Sequence, residues 1–244
     1  MSVFLGKKGS HVGVVLSFVI FMTFIFFIYL ITQPALKTEK KDNSLEFLAT
    51  GLMEKISANL TSVSVAIVPP SPSQDCVRLS GFFSTTGIGN KVISRDNSGN
   101  TLQTRVDVDD LLVVRNGATF FKVYGSEEFS ATVTGAINPC PQLSQGSGYV
   151  LGLVKTDESI FQTKIVKLIE NYSSNYDGLK DDLKISQGNE FDFSFTYGNG
   201  TEISTQSKNQ TISSNINIYA KDVPIVYISD KANEESGFLN VKIW

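Results

Sequence analysis

The chain has 244 residues, with 21 Lys and Arg against 24 Asp and Glu, for a formal net charge of −3. Beyond residue 43 it carries no basic block, which excludes nucleic-acid binding through a phosphate-neutralising patch. The single histidine, His11, lies next to an apolar run near the start, so the rest of the chain contains no Ser-His-Asp or Cys-His pair and no His-ligated metal.

Val12 to Ile31 form an uncharged apolar run, VGVVLSFVIFMTFIFFIYLI. About 20 helical residues span roughly 30 Å, the hydrocarbon thickness of a bilayer. The run shows no polar face, and it leads into Tyr29, Thr32, Gln33 and Pro34 rather than a small-residue cleavage site. It reads as a retained transmembrane helix, residues 12–32, after a cytoplasmic leader, 1–11. A polar linker, 33–43, then leads to an extracellular α+β domain, 44–244. Pro34 is expected to end or kink the membrane helix. Lys7 and Lys8 favour a cytoplasmic N-terminus, while Lys37, Lys40 and Lys41 oppose it. Long domains translocate largely regardless of charge, which decides for a single-pass protein of the cell membrane with its C-terminal domain outside.

In that domain Leu45, Leu48, Ala49, Leu52, Met53, Ile56 and Leu60 recur at helical spacing and predict a helix over 44–61. Asn43 and Glu46 read as its capping pair. Strand signals follow: VSVAIV, stopped by the Pro- and Ser-rich stretch 69–73, then CVRLSGFF, KVISR and TLQTRVDV. LLVVR and ATFFKVY flank Asn116-Gly117, the type I′ hairpin signal. EEFSATVTG and GYVLGLV come next, around a Pro- and Ser-rich loop. A stripe of Phe161, Ile165, Leu168, Ile169, Tyr172, Tyr176, Leu179 and Leu183 predicts one helix or two short ones, with Asp177 capping the second. FDFSFTY turns at 198–200 into TEIS, and NINIYA, PIVYIS and FLNVKIW predict three last strands. The fold class is α+β: an N-terminal transmembrane helix followed by a mainly antiparallel β ectodomain with packed helices.

Cys76 and Cys140 both follow the membrane run. In an oxidising compartment they are expected to pair, and two buried free thiols are the competing reading. Asn59, Asn171, Asn199 and Asn209 open N-x-S/T sequons, which permit glycosylation without requiring it.

Candidate chemistry is sparse. Asp107, Asp109 and Asp110 form an acidic cluster without EF-hand spacing, and a solvated strand-to-loop corner explains it better than calcium. Asp181 and Asp182 suit a solvated helix face, and Asp96 to Asn100 suits a tight turn. Gly87-Ile88-Gly89 lacks the third glycine of a dinucleotide loop. Phe191, Phe193, Phe195 and Tyr197 share a strand face that reads as core rather than ligand platform. Tyr172 and Tyr176 read as helix-to-sheet packing with their hydroxyls in solvent. No metal, cofactor or catalytic residue is expected.

Lys7-Lys8-Gly9, then Ser10 and the apolar run, resemble the class III signal of archaeal type IV pilin-like proteins. The resemblance implies cleavage between Gly9 and Ser10 by a prepilin peptidase, a helix that stays attached and packs into an assembly, and a β-rich ectodomain. The family's Glu at the fifth mature position, associated with subunit docking, is Val14 here, which shifts the implication from a major subunit to a minor or pseudopilin-like one. Gly13 and Ser17 form a small-xxx-small pair suited to helix packing in lipid. The expected function is a pilin-like subunit of a cell-surface assembly; the alternative is a monomeric tethered extracellular binding module. Expected partners are membrane lipid and other pilin-like or membrane subunits.

Overall fold

The computed structural model describes residues 11–68, 75–130, 140–203 and 216–244. The chain opens with one helix, α1 (His11–Ile56), of 46 residues, about 69 Å long at 1.5 Å per residue. From Gly13 to Ile31 its side chains are exposed, whereas Leu45, Leu48, Ala49, Leu52 and Ile56 are buried. The helix is thus two things in sequence, a bare apolar rod and a core element.

β1 (Ser57–Ile67) follows without a loop. Then come β2 (Cys76–Leu79), α2 (Phe82–Thr86), β3 (Val92–Asp96), β4 (Thr101–Asp107), β5 (Asp110–Val114), β6 (Phe120–Gly125), β7 (Gln142–Leu143) and β8 (Tyr149–Leu151). The second part holds β9 (Lys155–Phe161), α3 (Gln162–Ser174), α4 (Tyr176–Asp182), β10 (Phe191–Tyr197), β11 (Glu202–Ile203), β12 (Tyr219–Ile228) and β13 (Glu234–Ile243). The strands form one sheet in the order β11-β10-β13-β12-β9-β1-β6-β3-β4-β5-β2-β7, with β8 also on β1.

The sheet has two halves with different cores. In the first, Val63 and Val65 of β1, Val77 and Leu79 of β2, Val113 of β5 and Phe121 of β6 meet in a single cluster. β1 and β2 are far apart in the strand order, so the sheet must roll up for their side chains to touch. The roll is closed where β7 runs parallel to β2, a bridge joins Gln145 to Tyr149, and β8 pairs with β1. Buried Tyr149 fixes the seam by donating its hydroxyl to the Ser80 carbonyl at 2.7 Å. In the second half, period-two alternation puts Phe191, Phe193 and Phe195 of β10 and Leu239, Val241 and Ile243 of β13 on one face. That face is covered by α1, α3 and α4, which contribute Leu48, Leu52, Ile165, Leu168, Tyr172 and Leu179 among others. Each such buried side chain stabilises by roughly 1.5–3 kcal/mol. β1 belongs to both halves: Ser57–Ser62 pair with β9, and Val65–Ile67 pair with β8.

Several expected elements differ. The helix expected over 44–61 ends at Ile56, because Ser57 onward is rich in Ser, Thr and Val and finds strand partners on both edges. Leu60 fits the helical stripe by number but lies in β1, packed with Phe129, Phe161 and Ile228. At its start, α1 has no break at Pro34 and no linker at 33–43, so Asn43 and Glu46 sit inside the helix rather than at an N-cap. Ala35, Leu36, Lys37, Glu39, Lys40 and Lys41 are strong helix formers, enough to carry the backbone past one proline.

The Asn116-Gly117 turn forms, with φ of 48° and 84° and the Ala118 N–H bonded to the Arg115 carbonyl at 2.8 Å. The hairpin does not. β5 pairs with β4 and β2, while β6 pairs with β1 and β3. The tighter β4–β5 reversal at Val108 has already occupied one edge of β5, so the type I′ turn sends the chain across the roll instead. Phe82 and Phe83 leave the expected second strand for α2. Residues 126–130 are not strand, and the rest of EEFSATVTG lies outside the described residues. The charged segment Lys155–Phe161 is a strand that period-two reading of apolar residues does not detect. The last two strands replace an expected three, since β12 runs through Pro224 where, among the described residues, its far edge has no partner strand. The split into α3 and α4 occurs, but Asn175 rather than Asp177 holds the cap position of the second helix.

Leu52 is fully buried and Phe47, on the same helix, is 56% exposed. Leu52→Ala should therefore lower unfolding stability by about 2–5 kcal/mol, while Phe47→Ala changes it by less than about 0.5 kcal/mol. Denaturant titration of the two variants checks this, and equal effects would contradict the burial pattern.

Candidate functional site

From Gly13 to Gln33 the chain has a helical segment long and apolar enough to cross a membrane, with none of it buried. Its polar atoms are few. Thr23 gives its hydroxyl to the carbonyls of Val19 and Ile20 in its own helix, at 3.0 and 2.8 Å. Gly13 and Ser17 are exposed, and nothing lies within 4 Å of the position a Gly13 Cβ would take. Val14, between them, is exposed as well. Gly9 and Ser10, the expected processing pair, lie outside the described residues.

Cys76 and Cys140 are at disulfide distance, with Cα atoms 5.3 Å apart at a sequence separation of 64. The pair continues the parallel register of β2 and β7, in which Arg78 faces Gln142. It thus adds a covalent tie to the backbone bonds by which the Arg78 and Ser80 N–H groups hold the Pro141 and Leu143 carbonyls. Replacing both cysteines with serine should lower stability by about 4 kcal/mol in the chain-entropy treatment of a loop this long. Denaturant titration under matched non-reducing conditions would show it, and an unchanged midpoint would contradict it.

The acidic groups are absorbed by the fold. Asp110 accepts from Arg78 Nε at 2.6 Å and from the Gly81 N–H at 2.9 Å. Burial raises its pKa, but those bonds outweigh burial and hold the carboxyl below its usual range. Asp109 accepts from the Ser84 N–H and hydroxyl, both at 2.7 Å, and so steadies α2. Asp107 pairs with Arg78 at 3.1 Å. This corner is an arginine-centred clamp on the β4–β5 reversal, not an array of oxygens facing a vacant centre. Asp96 closes its turn by accepting from the Asn100 backbone and side chain, bonds that depress its pKa. Asp182 pairs with Lys55 at 3.0 Å and ties α4 to α1. Gly87 ends α2 at φ 66°, and Ile88 is buried in the roll. Among the described residues, no group of three or more His, Cys, Asp or Glu side chains is placed to hold a metal.

The aromatic stripe is core: Phe191, Phe193 and Phe195 are buried, with Tyr197 at the margin. Tyr172 and Tyr176 pack as expected, but their hydroxyls do not reach solvent. Tyr172 donates to the Phe191 carbonyl at 3.0 Å and Tyr176 to Glu190 Oε2 at 2.5 Å. Of the sequons, Asn199 is exposed at the β10–β11 turn, where its Oδ1 accepts from the Thr201 N–H at 2.9 Å. Asn59 is exposed on β1 and Asn171 half-buried on α3, while Asn209 lies outside the described residues.

One surface escaped the sequence reading. The face of β10, β13 and β12 opposite the helices carries Phe238, 46% exposed, among Ser, Thr, Asn, Asp and Glu side chains that line a groove of about 560 Å³. The signal was present: in FLNVKIW, Leu239, Val241 and Ile243 alternate with Phe238, Asn240 and Lys242, so Phe238 must face away from the core.

Comparison of the chain with protein-family models, with curated proteins and with solved structures returned no match.

Glu128 lies beneath the start of α3, accepting from Lys167 and Thr163 at 2.9 Å each. Burial raises its pKa, but these bonds outweigh burial, so the folded pKa lies below the ordinary value of 4.5. Its contribution is complete above pH 4.5 and is lost as pH falls through the depressed folded value. Glu128→Gln should therefore reduce stability at pH 7 while leaving it closer to the parent at pH 3. Urea midpoints at the two pH values check the sign.

Proposed function

We propose that the chain is a single-pass membrane-anchored surface protein that acts as a minor pilin-like or pseudopilin-like subunit of a cell-surface assembly. The observation that carries the reading is α1. A continuous helix, bare and apolar from Gly13 to Ile31 and packed into a β-rich domain from Leu45 to Ile56, joins insertion in lipid to presentation of a folded domain. The basic leader that ends in Lys7-Lys8-Gly9 supports processing before Ser10 by a prepilin peptidase. Gly13 and Ser17 offer the close-packing face for neighbouring subunits. The orientation is cytoplasmic N-terminus and external domain, which agrees with the cysteine pair and the exposed sequon at Asn199. The chain acts by position and assembly and catalyses nothing.

Val14 favours a second reading, a monomeric tethered extracellular binding module, because the position lacks the docking carboxylate that the resemblance leads one to expect.

Two measurements separate the readings. The mature N-terminus isolated from native membranes should be Ser10; an intact leader contradicts processing. Gly13→Leu with Ser17→Leu should reduce co-purification with other membrane subunits and leave the thermal unfolding of the β domain unchanged. A parent protein that is monomeric in mild extracts, with no change in the double variant, removes the assembly reading.

A further inference from the structure

The outer face of the helix-covered half has an ordered layout. Glu202, Thr196, Phe238 and Pro224 are successive cross-strand neighbours on β11, β10, β13 and β12. One pleat along, about 6.8 Å away, Ser194, Asn240 and Asp222 form a second row. The helices lie on the opposite face; Glu202, Phe238, Pro224 and Asp222 are exposed, and Thr196, Ser194 and Asn240 are half-buried. A large aromatic ring on the inner strand β13, flanked by an exposed proline and by short hydroxyl side chains, makes a flat apolar platform beside a polar strip. Asn240 donates its amide to Asp222, which orients that carboxylate toward the groove's edge.

We propose that this groove binds a neutral glycan chain, with one sugar ring stacked on Phe238. Pyranose rings present an apolar C–H face bordered by hydroxyls, which matches a ring bordered by hydrogen-bonding groups. The exposed Glu202 and Asp222 carboxylates accept from sugar hydroxyls. Thr196, Ser194 and the Lys242 ammonium, which also lines the groove, donate in return. The two carboxylates against one lysine repel anionic ligands, so acidic polysaccharide and phosphorylated ligands are disfavoured. The proposal goes beyond assembly through α1 and does not depend on it.

The test uses the full chain in lipid nanodiscs, since glycoside detergents would compete. The protein is applied to an array of neutral hexose and N-acetylhexosamine oligosaccharides, uronic-acid and sialylated glycans, and extended peptides. The strongest neutral oligosaccharide is then titrated calorimetrically. Binding to neutral glycans is expected. Phe238→Ala should weaken it about tenfold, the scale of a lost aromatic contact, while Phe238→Tyr retains it and Asn240→Ala weakens it. Matching thermal unfolding of all variants shows that the fold persists; should Phe238→Ala unfold, Asn240→Ala and Thr196→Val in the second and first rows carry the same expectation. Retention of no neutral glycan by the parent, a preference for acidic glycans or peptides, or undiminished binding by the folded variants would overturn the proposal. None of these outcomes bears on the N-terminus or on subunit co-purification.

Discussion

The structure depends on the burial of one helix face, Leu45, Leu48, Leu52 and Ile56, against the sheet. The same helix runs without interruption into the bare apolar segment before it. That double use is a constraint. The β domain cannot form its larger core without the C-terminal part of α1. Phe193, Leu239 and Val241 are covered by that buried part, while Gly13–Gln33 contributes nothing to the core. The two parts of α1 are thus joined by continuous helical backbone rather than by a loop.

β1 extends this constraint to the rest of the molecule. It leaves α1 directly, pairs with β9 in the helix-covered half, and then serves the roll through β6 and β8. The small cluster of Leu60, Phe129, Phe161 and Ile228 fills the junction. Arg95, on the roll, reaches the Ala232 carbonyl of the β12–β13 loop at 2.7 Å. The two halves are therefore joined by backbone pairing, by apolar packing and by a charged hydrogen bond, which is more than a flexible hinge would show. Against that scaffold the outer face of β10, β13 and β12 stands apart, because α1, α3 and α4 all pack on the opposite side.

Much of this was legible in the sequence, for identifiable reasons. The apolar run, the buried stripe of α1 and the FDFSFTY strand were clear because each repeats one period over several turns or pleats. The α+β class and the Cys76–Cys140 pairing followed from the order of signals and from the cysteines' shared place after the run. Local signals failed where tertiary partners decide. Asn116-Gly117 specified its turn but not its strand pairing, because the edges of β5 and β6 were taken elsewhere. Leu60 satisfied two periodicities, and only the presence of partner strands chose between them. β9 was missed because Lys155, Thr156, Asp157 and Glu158 are exposed, so no apolar alternation marks it. The candidate surface at Phe238 lay hidden within a strand assigned by its apolar content, until the alternation showed which side was core.

The most direct test of this picture is the distance across the middle of α1. Spin labels placed at exposed Leu30 and Thr50, in the full chain in nanodiscs, report it by double electron–electron resonance, since the native cysteines are paired. A continuous helix separates these backbone positions by about 30 Å, at 1.5 Å per residue, and should give a single narrow distribution near that value. A broad distribution, or one centred well below it, would mean that the chain bends freely between the apolar segment and the β domain, and would contradict the continuous-helix architecture.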